Sequence, residues 1–307
     1  KLEACGATAV VVPQVWEGCC KPMLVVSNIH QAFQQIIERI RPVPTNVAER
    51  HVDARASVAA TASIGQDCSI GPSATIGERC VIGERCTVHP GVHIMAGCRI
   101  GDDTELMPGV VLYPGTIIGK RVLIHANCVL GAYGFGYRLV AGHHQRTAQL
   151  GWVDIADDVE IGAGTTVDRG TYGPTKIGMG TKLDNQVHVG HNCQLGQHNL
   201  ICGHVGMAGS CSTGDYVVMA GQVGLADHVH LGDRSMVGAQ SGIMQDVAAG
   251  ETVIGSPAMP SKRKMQEFAI SARLPEMRRE LRDLQRLVQR LEANLPSTTT
   301  GDRRDAA

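Results

Sequence analysis

The sequence predicts an all-β solenoid, a left-handed parallel β-helix of hexapeptide repeats in about ten coils, with an N-terminal α/β remnant and a C-terminal helix. Three observations predict it. An aliphatic residue stands at every sixth position from Val52, Val58 and Ile64 through to Ile118, Ile124 and Leu130 without a miss. The residue directly after it is mostly Gly, Ala or polar, as a tight corner requires. Aromatic residues are few, with Trp 2, Tyr 5 and Phe 3, which suits a narrow prism filled by Ile, Val, Leu and small side chains.

Residues 1–45 follow a different rhythm. Apolar runs at Ala7–Pro13 and Met23–Val26 read as strands, and Ile29, Phe33, Ile36, Ile37 and Ile40 stand at helical spacing. Arg41-Pro42-Val43-Pro44 closes this segment as a linker. Two strands and one helix bury too little surface to stand alone, and Lys1 is not a methionine, so a longer N-terminal part is expected upstream. The β-helix is expected over 46–256. Its repeat breaks after Leu130, where Gly131–Gly151 fits no hexad, resumes at Ile155, Ile161 and Val167, and slips by four residues at Gly173–Lys176. From Ile177 to Ala249 it runs in step, with Thr213 and Ala249 as weak members. A Val-to-Asp change at any inward position should be severe. Over 257–295 the period becomes helical, and Leu274, Met277, Leu281, Leu284, Val288 and Leu291 form an a/d seam. That seam needs a partner, most simply its own copy in a homotrimer. Residues 296–307 read as a disordered tail.

Several function classes are excluded early. The formal charge of -1 offers nothing for nucleic acid, and no run of about 18 apolar residues exists to span a membrane. Cys68, Cys80, Cys86, Cys98, Cys128, Cys193 and Cys211 each stand four residues after an inward repeat position, where Thr104, Thr116 and Val187 stand in other repeats. They are small buried residues rather than a disulfide or metal framework, which indicates reduced thiols and a cytoplasmic protein.

Histidines concentrate in the second array. His191, in VGHNCQ, and His228, in LADHVH, are placed by hexad phase on one prism face two coils apart, roughly 10 Å along the axis. His198 and His230 read as solvated outward residues. Around His191, the stretch Leu183–Cys193 packs a carboxylate, amides and imidazoles more densely than a solenoid needs. A histidine there can take a proton from an attacking amine or hydroxyl, contributing roughly 10²–10⁴ in rate, with Asn192 and Asn185 orienting it or donating to a substrate carbonyl.

The hexapeptide array, LDNQVHVGHN, the GFGY loop at Gly134–Tyr137, the VDRG turn at Val167–Gly170 and the IGSPAMP exit at Ile254–Pro260 together resemble the UDP-3-O-acylglucosamine N-acyltransferases of lipid A biosynthesis. The resemblance covers essentially the whole chain. It implies transfer of a 3-hydroxyacyl chain from the phosphopantetheine of acyl carrier protein to the 2-amine of UDP-3-O-acyl-glucosamine, with no metal and no other cofactor. His191 falls on the family's general base, and His228 on a second histidine that assists the donor or the carbonyl oxygen. The resemblance also implies substrate contacts from Asn185, His188, Asn192, Phe135 and Tyr137, and an acyl channel near Gln240 and Gly242. Three departures stand out. The family's uridine-holding aromatic and Asn positions precede the first strand here, the usual acidic residue before GFGY is Tyr133, and the usual KIPQ reads Arg146-Thr147-Ala148-Gln149. A UDP-N-acetylglucosamine O-acyltransferase shares the fold and the histidine chemistry, but Ala7–Ile40 argues against it. A zinc carbonic anhydrase requires histidines five apart, and no pair here has that spacing. A non-enzymatic scaffold leaves the His and Asn cluster unexplained.

Overall fold

The computed structural model describes residues 5–40, 51–256 and 258–294. The Arg41–Pro44 linker and the tail at 296–307 lie outside the described residues. Near the N-terminus, Val10–Val12 and Met23–Val25 pair in parallel, with Val10 opposite Met23, and are followed by a helix at Ile29–Ile40. Asn28 caps that helix, its Oδ1 accepting the Gln31 amide at 3.0 Å.

From Ser57 onward the chain winds a left-handed parallel β-helix. Strands of mostly two residues stack into three parallel sheets of 9, 10 and 10 strands. Sheet I runs from Ser63–Ile64 to His230–Leu231, sheet II from Ser69–Ile70 to Thr252–Val253, and sheet III from Ser57–Val58 to Gly242–Ile243. The aliphatic column points inward, and Ile82, Ile94, Leu106, Ile124, Ile155 and Ile201 are fully buried. Each such side chain contributes roughly 1.5–3 kcal/mol before conformational entropy is subtracted. The rule has one end effect: Val52 is 47% exposed and holds only an isolated bridge to Ile70, so a polar change there is far milder than in the interior.

Corners turn through the left-handed region, on Gly at Gly91, Gly97 and Gly109, and on ordinary residues such as Arg85, Asp103, Asn192 and His228. The buried position just after each corner explains the cysteines. Cys80, Cys98 and Cys193 point their thiols at the carbonyls of Met95, Tyr113 and Ala208 in the next coil, at 3.1, 3.2 and 3.2 Å. Thr104 and Thr181 do the same with Oγ1, to Gly119 and Gly196 at 3.0 and 2.9 Å. Val and Ala fill the same position in other repeats, at Ala74, Val92, Val110 and Val187, so the site takes any small side chain and a donor is optional. Burial pushes the Cys86 thiol up to about 11 and the Cys98 thiol up to about 12.

Both weak repeat members have physical accounts. Thr213 is buried because Asn199 faces it inside the prism, donating to Thr213 Oγ1 at 2.7 Å while accepting the Val217 amide at 2.7 Å. Ala249, in contrast, is not inward. The last coil loses two residues, Val247 bridges Leu231 in its place, and Val253 then pairs with Val237. The in-step array therefore ends at Ile243, not Ala249.

The break after Leu130 contains an antiparallel hairpin, Tyr137–Val140 against His143–Arg146, turned by Ala141 and Gly142, both at positive φ. The slip near Gly173 forms a second, shorter excursion after Asp168. Both leave the prism at the same corner, where sheet III passes to sheet I. The C-terminal helix spans Ser261–Asn294, 34 residues or about 51 Å at roughly 1.5 Å per residue. Its seam residues Leu274, Met277, Leu281, Leu284, Val288 and Leu291 are 45–58% exposed, so the helix does not fold back to hide them. No described helix is long and apolar enough to cross a membrane.

Candidate active site

The two excursions stack against the coil of His191. Val189 ends a sheet III strand, and His191 and Asn192 form the corner that follows it. Two coils on, His228 occupies the same corner after Leu225. The phase differs by one residue: His191 stands two positions after its inward aliphatic residue, His228 three. Together they line a cavity of about 380 Å³ with Phe135 from the GFGY loop. His188 and Asp168 complete its floor, beside Gly190, Ala208 and Gly209.

Two glycines fix the His191 ring. A Cβ on Gly209 would lie 2.5 Å from His191 Cε1 and 2.6 Å from Nε2, and one on Gly134 would lie 2.5 Å from His191 Cβ. The imidazole is thus clasped between the loop and the next coil. Asn192 fixes its tautomer. Asn192 Oδ1 accepts the Thr171 backbone N–H at 3.1 Å and the Thr171 hydroxyl at 2.9 Å, which identifies that atom as the oxygen. His191 Nδ1, 3.0 Å from the same oxygen, must therefore carry a hydrogen. Nε2 has no hydrogen-bond partner among the described residues and lies beside Gly209, which lines the cavity with His191, so its lone pair is uncommitted, as a general base requires. The Thr171 hydroxyl lies 3.2 Å from Oε1 of Gln149, which is 4% exposed, so the first excursion buttresses the same network.

The remaining anticipated residues divide. His188 points outward on sheet III, its Nδ1 2.9 Å from Thr166 Oγ1 and its Nε2 3.9 Å from Asp168 Oδ2. His228 is open to solvent, with Nδ1 3.1 Å from Asp227 Oδ2. Tyr137 packs edge-on against Phe135 at 5.1 Å rather than lining the cavity. Asn185 stands at the next corner, between sheets II and III, where its Oδ1 accepts the Ala163 amide at 2.7 Å. It lines a separate cavity with Asp184, His125 and Lys182 and does not reach His191 within this chain. Gln240 is on that second corner as well, donating to Gln222 at 2.8 Å. Gly242, by contrast, lies in register with Gly224, Gly206 and His188, giving sheet III a bare outer strip that leads from the cavity toward the C-terminal end. A Cβ added at any of the three glycines would meet nothing within 4 Å. His198 and His230 are not simply solvated: His198 stacks on Tyr216 at 5.1 Å, and His230 Nδ1 lies 2.8 Å from Ser212 Oγ.

Sequence reasoning missed Asp168. It stands inside the VDRG motif yet is 7% exposed, and burial pushes its carboxyl above the ordinary range while His188 and His191 oppose the shift. A charged residue directly after an inward aliphatic, where the neighbouring coils have Gly190, Ala208 and Ala226, was the available signal. Among the described residues, no group of three or more His, Cys, Asp or Glu is placed to hold a metal ion.

A family model described as the GMPPB C-terminal domain matches residues 52–134, the uninterrupted first array. The UDP-3-O-acylglucosamine N-acyltransferase of Anaeromyxobacter dehalogenans strain 2CP-1 is 45% identical over 300 residues, covering 95% of this chain and 84% of that protein. The chain belongs to the UDP-3-O-acylglucosamine N-acyltransferase family. A second member, from Rhodopirellula baltica, is 61% identical over 183 residues, 59% of this chain but 48% of its own length, so that match spans about half of the relative. Among solved structures, Arabidopsis UDP-N-acetylglucosamine acyltransferase matches with a TM-score of 0.62 and 25% identity over 67% of this chain and 71% of its own.

Two departures from the UDP-3-O-acylglucosamine N-acyltransferase pattern meet in space. Arg146 lies over the Tyr133 ring at 4.5 Å, with Arg169 5.3 Å from the same ring. A cation–π contact thus ties together the two ends of the excursion that bears the hairpin.

Proposed function

We propose that the chain transfers a 3-hydroxyacyl group from acyl carrier protein to the 2-amine of UDP-3-O-acyl-glucosamine, in the cytoplasm, with His191 as general base. The single observation that carries this reading is the His191 ring in the cavity lining, held by Gly134 and Gly209 with Nδ1 committed to Asn192 and Nε2 uncommitted. The amine nitrogen attacks the thioester carbonyl, its proton passes to Nε2, and the imidazolium returns it to the departing thiol. His228, at the mouth of the same cavity, assists the carbonyl oxygen or positions the donor. The acyl chain lies along the Gly206, Gly224 and Gly242 strip, where no side chain obstructs it. The donor arm is the phosphopantetheine of the carrier protein, and no other cofactor enters.

Carrier proteins are acidic, and Lys262, Arg263, Lys264, Arg273, Arg278 and Arg279 give the C-terminal helix a basic stretch. Reversing Arg278 and Arg279 to Glu should raise the apparent donor KM and blunt its salt dependence while kcat at saturation stays near that of the parent. Unaltered donor kinetics would remove this docking site. The assignment as a whole is tested by incubating the protein with 3-hydroxyacyl carrier proteins and UDP-3-O-acyl-glucosamine and detecting the N-acylated product by mass. Product from UDP-N-acetylglucosamine alone would favour the O-acyltransferase reading instead.

A further inference from the structure

Two carboxylates line the His191 cavity, and they differ sharply. Asp227 is 74% exposed beside His228, whereas the Asp168 side chain is 10% exposed. Its backbone is fixed by an irregular extension of the sheet, in which Asp168 pairs with Ala132 after a register shift. Among the described residues no N–H or O–H donates to its carboxylate. The nearest cation-forming group is His188 Nε2 at 3.9 Å, and His188 Nδ1 is already occupied by Thr166. Arg169, next in sequence, turns away to the carbonyls of Gly131 and Pro114. In the following coils the same column is Gly190 and Ala208, so no large side chain of that column covers Asp168, and Asp168 and His191 line one cavity. A buried carboxylate without donors is unfavourable on its own and favours a cationic donor from outside.

We propose that Asp168 receives the acceptor's 2-ammonium as an ion pair beside His191, and so makes this cavity select an amine over a hydroxyl acceptor. The proposal rests on the N-acyltransfer reading above and deepens it. An amino sugar enters largely as R–NH3+, which has no lone pair with which to attack. One ammonium proton passes to the Asp168 carboxylate, freeing the lone pair. The nitrogen then forms the C–N bond as the thioester C–S bond breaks, a second proton travels through His191 Nε2 to the thiolate, and Asp168 returns its proton to water. The upward push that burial gives Asp168 brings it closer to the amine it must relieve of a proton. His188, His191, Asp227 and His228 face the same cavity, but the ion pair needs an ionised Asp168 and a protonated amine, so the preference fades at acid pH as the raised Asp168 carboxyl is neutralised and again above the amine's own titration.

The test is calorimetric binding, without donor, of UDP-3-O-acyl-glucosamine and of its 2-hydroxy counterpart, UDP-3-O-acyl-glucose, to the parent chain and to Asp168→Asn. The parent is expected to bind the amine about tenfold or more tightly than the alcohol near pH 7, as a charge-assisted contact provides. That ratio should shrink as pH rises past the amine's titration, a wild-type measurement that stands even if the variant folds poorly. In folded Asp168→Asn the ratio should collapse toward one. A ratio near one in the parent, or an undiminished ratio in Asp168→Asn, overturns the ion pair alone if the parent still forms N-acylated product. A parent that binds neither sugar nucleotide and forms no product overturns the functional reading, and this proposal with it.

Discussion

His191 is defined by four neighbours, each doing something different to one ring. Asn192 sets the tautomer, Thr171 orients Asn192, and Gly134 and Gly209 leave the ring just enough room. Because the His191 side chain lies outside the prism core, His191→Ala should fold normally and lose at least about two orders of magnitude in kcat, measured by steady-state acyl transfer. His228→Ala should be milder, and a loss confined to His228→Ala would exchange the two roles. Gly209→Ala is the sharper probe of geometry. Its methyl would occupy the place of His191 Cε1 and Nε2, so kcat should fall while the melting temperature stays close to that of the parent. Undiminished turnover in Gly209→Ala would show that the ring position seen here is not the working one.

Among the elements, the unit that repeats is a short strand, a left-handed corner and one small buried residue, which is Cys, Thr, Val or Ala. Cys, Thr and Val exchange at that buried position because each is small, and a Cys or Thr there also sends its hydrogen to the next coil, so the seven cysteines that occupy it are packing residues rather than a framework. With seven of them buried, only Cys5, Cys19, Cys20 and Cys202 should react rapidly with a thiol reagent under native conditions, and all eleven after denaturation. Ile155→Ala, at a site 1% exposed, should cost about 2–5 kcal/mol in denaturant unfolding. The corner between sheets I and II bears a ladder in which Arg85 clasps Asp103 and Arg121 clasps Asp158, each through two bonds of 2.6–2.8 Å. The guanidiniums hold Asp103 and Asp158 below the ordinary value of 3.8. A depressed folded-state value means that the ladder's stabilisation is present above 3.8 and is lost as pH falls through the folded value. The melting temperature should therefore drop on acidification below that range, and less so in high salt, where these exposed pairs are screened.

For the whole molecule, the decisive feature is an unpartnered helix of 34 residues beside a prism whose site opens at a corner. A seam of six half-exposed aliphatic residues is buried most simply by copies of itself, so sedimentation at micromolar concentration should give a trimer rather than a chain of 32.6 kDa. Leu281→Asp with Leu284→Asp should dissociate it, and a stable, active monomer would sink the trimer. Pro275 lies inside this helix after Leu274 and removes one backbone donor, so a bend is expected where the seam begins.

The sequence by itself determined the prism, because a six-residue period leaves only one way to turn every aliphatic side chain inward, and it singled out His191, whose partner Asn192 is adjacent in the chain. The antiparallel hairpin was hidden, since its strands are exposed on both faces and carry no alternation of polarity. Tertiary structure alone decided which of the crowded polar residues share a cavity. Asn185 and His191 are six apart in sequence yet stand on different corners, because six residues carry the chain once across sheet III. Asp168, twenty-three residues before His191, reaches its cavity because the two breaks in the repeat stack at one corner and bury what they enclose. Hexad phase fixes the face on which a residue lies, but a break in the repeat changes how many residues each coil consumes, and that count is set by contacts distant in the chain.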